Sequence, residues 1–107
     1  MRLHYDKLIR DRIPEIIEAD GKRCRVEVMD DADYVRSLRA KITEEAAEVA
    51  EAAGEDVVAE IADLLEVIEA FRASCGVTED EVEAIRLKRR EERGGFQRRL
   101  RLLWVEQ

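Results

Sequence analysis

Between residues 31 and 53, apolar side chains recur at helical spacing. With each residue advancing about 100° around a helix axis, Tyr34, Val35, Leu38, Ile42, Val49, Ala52 and Ala53 fall on one arc. Asp30 or Asp31 can cap this helix, and Gly54, Glu55 and Asp56 make a tight turn, with Asp56 as the expected cap of the next one. The second helix, residues 57 to about 74, carries Val57, Val58, Ile61, Leu64, Leu65, Val67, Ile68 and Phe71 on its apolar arc, with Gly76 past its end. Thr78 and Glu81 form a capping box for a third helix, 79 to about 93, which the Gly94–Gly95 pair ends. Nearer the amino terminus, Pro14 suits the first turn of a short helix, 13 to about 19, stopped by Gly21. Residues 22–29 alternate, Arg23, Arg25 and Glu27 against Cys24, Val26 and Val28, which reads as a short strand over 23–28 or as an extended connection. The closing residues, with Phe96, Leu100, Leu102, Leu103, Trp104 and Val105, are apolar enough to be expected against the body or a second subunit. The pattern predicts an all-α fold: a helical hairpin with flanking helices.

Length and composition narrow this further. A chain of 107 residues reads as a single domain, 1–107, with a modest core that self-association would supplement. Hydrophobic residues at 46%, only five glycines and one proline favour helices and exclude a disordered chain. No apolar run nears the roughly 20 residues a bilayer crossing needs, and the charged start lacks the apolar region of a signal peptide. Cys24 and Cys75, without metal-ligand spacing, read as free thiols of a cytoplasmic protein. A net charge of −7 argues against general nucleic-acid binding. That charge is segregated. Ten acidic residues and no basic one lie between Lys41 and Arg72, whereas Arg86, Lys88, Arg89, Arg90, Arg93, Arg98, Arg99 and Arg101 crowd the carboxyl-terminal part. A ligand carrying both cation and anion, such as a metal–polyphosphate complex, suits that division.

Two acidic residues fall where a solvated face would not put them. Glu45 lies inside the first apolar arc, between the directions of Tyr34 and Leu38, and Glu60 lies inside the second, between Val67 and Phe71. Glu48 and Asp63 border the arcs; Glu44, Glu51, Glu66 and Glu69 point away. An ionised carboxylate placed in a core without a partner costs several kcal/mol, roughly, and the acidic stretch itself contains no Lys or Arg. A divalent metal is the economical compensation. Glu48 and Glu60 each stand six residues from Gly54, and Glu45 and Asp63 nine, so an antiparallel hairpin sets Glu48 beside Glu60 and Glu45 beside Asp63. All-oxygen ligation of this kind suits Mg²⁺, or Mn²⁺, with substrate phosphates as further ligands. A di-iron bundle would want Glu-x-x-His pairs, and the single histidine, His4, is outside both helices.

The stretch Glu44-Glu45-Ala46-Ala47-Glu48 followed by Glu60-Ile61-Ala62-Asp63 resembles the paired acidic signature of the MazG-like all-α nucleoside triphosphate pyrophosphohydrolases. The start, Tyr5-Asp6-Lys7-Leu8-Ile9-Arg10-Asp11-Arg12-Ile13-Pro14-Glu15, and the end, Glu91-Glu92-Arg93-Gly94-Gly95-Phe96, resemble the small phosphoribosyl-ATP pyrophosphohydrolase-like branch. The resemblance implies Mg²⁺-dependent cleavage between the α and β phosphates of a nucleotide, giving a nucleoside monophosphate and pyrophosphate. It makes Glu45, Glu48, Glu60 and Asp63 the metal ligands, with one carboxylate as general base and Glu45 the first candidate. It also implies a homodimer that pairs hairpins into a four-helix-bundle-like assembly with sites near the interface. The eleven residues between Glu48 and Glu60 are fewer than in the family pattern, so the turn is tight and the pocket differs.

Lys88 and Arg93, and from the amino-terminal segment Lys7, Arg10 and Arg12, are candidates to bind phosphate oxygens, against an equal expectation that each is solvated or paired with surplus acids. Arg89, Arg90, Arg98 and Arg99 are expected on the surface, and Tyr5, Phe96 and Trp104 to pack rather than stack on a base. Within the enzyme reading, a house-cleaning role against aberrant nucleotides stands beside phosphoribosyl-ATP hydrolysis. Outside it stand a non-catalytic acidic interaction module and a nucleotide sensor that binds metal without turnover.

Overall fold

The Asp30 side chain accepts the backbone N–H of Asp33 at 2.8 Å and so starts the longest helix, satisfying one of the donors that a helix start leaves open. This is a computed structural model of residues 1–107, and its regular elements are four helices: α1 (Ile13–Ala19), α2 (Asp31–Glu51), α3 (Asp56–Ser74) and α4 (Glu79–Arg93). The fold is all-α, and no helix is long and apolar enough to cross a membrane. The chain divides into two units, Met1–Cys75 and Gly76–Gln107.

In the first unit, α2 and α3 pack on each other across a short connection in which Gly54 adopts φ 59, a left-handed conformation that a side chain would strain. The α2 helix stops two residues before the expected end. Asp56 turns out to be the first residue of α3 rather than its cap: Glu55 precedes the helix in helical conformation and offers no side-chain cap. On α2, Val35, Leu38, Ile42, Glu45 and Val49, with Ala52 just past its end, are buried or half-buried; on α3, Val57, Glu60, Leu64, Val67, Phe71 and Ser74 are half-buried. Both sets alternate steps of three and four residues, the seam of two antiparallel helices. Glu45 and Glu60 each occupy a seam position. At the end of the hairpin remote from the turn, the Arg39 guanidinium lies 4.8 Å from the centre of the Phe71 ring, a cation–π contact between the helices.

Leu38 is the one fully buried side chain, 2% exposed. A second apolar row on α3, Val58, Ile61, Leu65 and Ile68, expected on the buried arc, remains 42–76% exposed in the single chain. It repeats the three–four spacing one residue beyond the inner seam, so α3 presents two adjacent seams and the hairpin covers only one.

Residues 22–29 form no strand. Val26 and Val28 are exposed, and no neighbouring strand supplies the ladder that a strand's backbone groups require. The alternation there is that of an extended connection. Ahead of it, α1 carries Pro14 in its first turn, and Gly21 follows at φ 78. Cys24 and Cys75 are free thiols.

In the second unit, Thr78 caps α4 by accepting the Glu81 N–H at 3.1 Å, and Gly94, at φ 83, ends it. Arg86 pairs with Glu83 one turn before it at 2.7 Å. Phe96, Leu100, Leu102, Leu103, Trp104 and Val105, expected against the body or a second subunit, are all exposed in the single chain, and Tyr5 of the first unit is too. Arg89, Arg90, Arg98 and Arg99 are exposed, as expected.

With a single buried leucine holding the inner seam, Leu38→Ala should lower stability by about 2–3 kcal/mol, the low end for a core leucine because the surrounding seam is shallow. Urea unfolding followed by circular dichroism measures it; a change under about 0.5 kcal/mol, the size of an ordinary surface substitution, would place the core elsewhere.

Candidate metal centre

The seam brings carboxylates together from both helices. Glu45 comes from α2, Glu60 and Asp63 from α3, and one oxygen of each lies within 4.8 Å of the others. All three residues are half-buried. Glu48, one turn further along α2, is exposed and outside this trio. Its charge nevertheless reaches Glu60. The hairpin therefore assembles three of the four expected ligands and leaves the fourth at the margin.

The acidic stretch contains no Lys or Arg, yet two cations from outside it reach these carboxylates. Lys41, one turn before Glu45 on the same face of α2, places its Nζ 3.6 Å from a Glu45 oxygen, and the Glu45 side chain is only 14% exposed. Arg10, from the segment ahead of α1, donates from Nη2 to Asp63 Oδ1 at 2.8 Å. The first partner lies just outside the acidic stretch but within one helical turn. The second is far away in sequence, and only the folded chain brings it in.

Glu60 is the member of the trio that no Lys or Arg pairs. Its pKa is raised above the ordinary value of 4.5, first by partial desolvation in the seam, then by the charges of Glu48, Asp63, Glu45 and Asp56. Two cations thus serve four carboxylates, and the deficit falls on Glu60. The donor set is oxygen only, with no histidine or cysteine among the grouped residues, and it carries excess negative charge at one point. Those are the requirements of a hard divalent cation, so the residues fit Mg²⁺ or Mn²⁺.

Among the expected phosphate ligands, Arg10 is at the cluster. The Lys7 ammonium instead lies 5.5 Å from the centre of the Tyr5 ring, and Arg12 pairs with Glu15. Lys88 and Arg93 stand exposed on α4 in the second unit. Lys41 is the site residue that sequence reasoning missed. Its signal was there: a lysine four residues before a glutamate on one helix face pairs with it.

Among curated proteins, an uncharacterised protein of Mycolicibacterium smegmatis is 41% identical to this chain over 54 residues, a stretch covering 50% of the chain and 55% of that protein. No family model matches the chain, and no solved structure matches it.

A raised pKa means that folded Glu60 binds its proton more tightly than the unfolded chain does. Metal-free protein therefore loses stability as pH rises from the ordinary value of 4.5 through the raised one. Glu60→Gln should accordingly raise the melting temperature of the metal-free protein at neutral pH, with the gain vanishing as pH falls toward 4.5. Thermal melts across that range, in chelator, test this; a variant no more stable than wild type at neutral pH would show that the carboxylates do not oppose one another.

Proposed function

We propose that Glu45, Glu60 and Asp63, with Glu48 at the margin, bind Mg²⁺ and that the protein hydrolyses a nucleoside triphosphate between its α and β phosphates, releasing a nucleoside monophosphate and pyrophosphate. One observation carries the reading: Glu60 lies in the packed seam among four other carboxylates with no counter-charge of its own. Such a residue opposes folding of the hairpin, and a solvated acidic docking face has no need of it. The resemblance of the paired acidic motif to the MazG-like pyrophosphohydrolases supplies the reaction.

Bound to these carboxylates, the ion would neutralise charge on the phosphates and make a nearby water more acidic. The chain's own groups take the remaining tasks. Lys41 holds the Glu45 carboxylate on its helix face, and Arg10 holds Asp63. Glu48 sits at the margin, outside the trio yet within electrostatic range of Glu60, and so joins Glu45 as a carboxylate placed to accept a proton from the attacking water. Damaged or non-standard nucleoside triphosphates are the proposed substrates, in a house-cleaning role.

The same reading includes a homodimer. The row Val58, Ile61, Leu65 and Ile68 on α3 is apolar, in seam register and exposed, and a hairpin with one fully buried side chain gains little from its own core. A second copy of the hairpin, presenting the same row, covers it with matched spacing and makes a four-helix arrangement.

Incubation with a panel of standard and modified nucleoside triphosphates and Mg²⁺ should release pyrophosphate, and Glu60→Gln should lower the rate by about 100-fold or more, at least as much as loss of a metal's outer-shell partner. Metal binding without turnover on any substrate would make the protein a sensor; no metal binding at all would leave an acidic interaction module. For the assembly, wild-type protein should sediment at twice its 12.4 kDa chain mass and Leu65→Glu at that mass. A monomeric wild type would sink the dimer.

A further inference from the structure

The two cations at the cluster reach it in different ways. Lys41 reaches Glu45 from one turn away on the same helix, and both side chains are largely covered. Arg10 reaches Asp63 across 53 residues of sequence, and both partners are about half exposed, 57% and 45%. A solvent-screened pair of this kind contributes roughly 0–1 kcal/mol, so little opposes its opening. Yet it engages an oxygen of the carboxylate that a cation bridging Glu45, Glu60 and Asp63 must share. A guanidinium and a divalent ion on one carboxylate repel each other at close range.

We infer that Arg10 is a displaceable counter-charge: it occupies Asp63 while the carboxylates lack a divalent cation, is driven off when the cation binds, and then takes a phosphate oxygen of the metal-bound ligand. The inference rests on the metal-site reading above. The backbone favours such an exchange. The Arg10 carbonyl accepts the Ile13 N–H at 3.1 Å at the start of α1, and Leu8 and Ile9 beside it are half-buried. Opening the pair therefore moves the guanidinium and not the segment, and the group stays within side-chain reach of the carboxylates. There it meets an incoming polyphosphate with the planar fork that suits phosphate oxygens. No covalent bond changes in the exchange; one counter-charge replaces another on Asp63 while the first passes to the anion. Arg10 is thus a positioning residue for the metal and a binding residue for the phosphate.

Two binding measurements on the intact chain test this without turnover. First, Mn²⁺ alone is titrated by paramagnetic resonance into wild type, Arg10→Gln and Arg10→Lys. Arg10→Gln should bind Mn²⁺ about twofold to fivefold more tightly, the upper part of the range that loss of a weak competing pair allows, and Arg10→Lys should stay near wild type. Second, pyrophosphate is titrated calorimetrically in saturating Mn²⁺, where Arg10→Gln should bind it about tenfold more weakly, the loss of one charge-assisted contact. Unchanged or weaker Mn²⁺ binding by Arg10→Gln overturns the competition, and unchanged pyrophosphate affinity overturns the transfer to phosphate; both leave the metal site standing. If neither wild type nor variant binds Mn²⁺, the metal site falls and the inference with it. A purely structural Arg10 would lower stability in Arg10→Gln without tightening Mn²⁺ binding, and circular dichroism melts separate that case.

Discussion

The constraint on which the rest of this structure depends is a charge imbalance inside a helix–helix seam. Two helices close on each other through positions spaced three and four residues apart, and two of those positions are glutamates. Water is partly excluded there, so the carboxylates interact more strongly than on an open surface. Asp63 and Glu48 add further negative charge within range of Glu60, and Lys41 and Arg10 return only part of it. The unpaired remainder settles on Glu60, whose acidity is weakened in consequence. A hairpin built only for stability would carry leucine there. Under the proposed metal site, the glutamates form an arrangement that a multivalent cation completes.

The apolar surface is incomplete in a similar way. Apolar packing inside the hairpin is confined to a narrow seam around Leu38, while a parallel row on α3 faces outward. Seam and row are one residue apart on the same helix, so whatever covers the outer row borders the carboxylates. Under the proposed dimer, the stability of the fold, its self-association and its metal affinity are coupled, because each acts on α3. That coupling follows from helix geometry and needs no additional element.

Arg10 and Lys41 show two ways of placing a counter-charge. A lysine one turn away along a helix is kept near its partner by the backbone whatever the rest of the chain does. An arginine from a distant segment is held by a single half-exposed contact and can exchange. The distinction matters wherever a site must be tolerable when empty and yet able to accept a dication.

Much of this could be read along the chain, because much of it is local. Caps depend on a side chain and a backbone N–H three residues on, and Asp30 and Thr78 were legible for that reason. Glycines at helix ends depend on one residue's own conformation, as at Gly21 and Gly94. The burial of Glu45 and Glu60 followed from rotation about a helix axis, which sequence spacing dictates. The alternation at residues 22–29 was equally clear but insufficient, since a strand needs a partner and period alone does not reveal one. Nor could the chain's spacing show that Val58, Ile61, Leu65 and Ile68 fall outside the hairpin's own seam, because that depends on how far α3 rolls against α2. The sequence by itself determined the helices, their ends and which carboxylates face inward, all consequences of short-range periodicity. Only the tertiary structure decided which three oxygens converge, which apolar row stays open, and that a guanidinium 53 residues away in sequence answers Asp63, for these depend on distances no local pattern encodes.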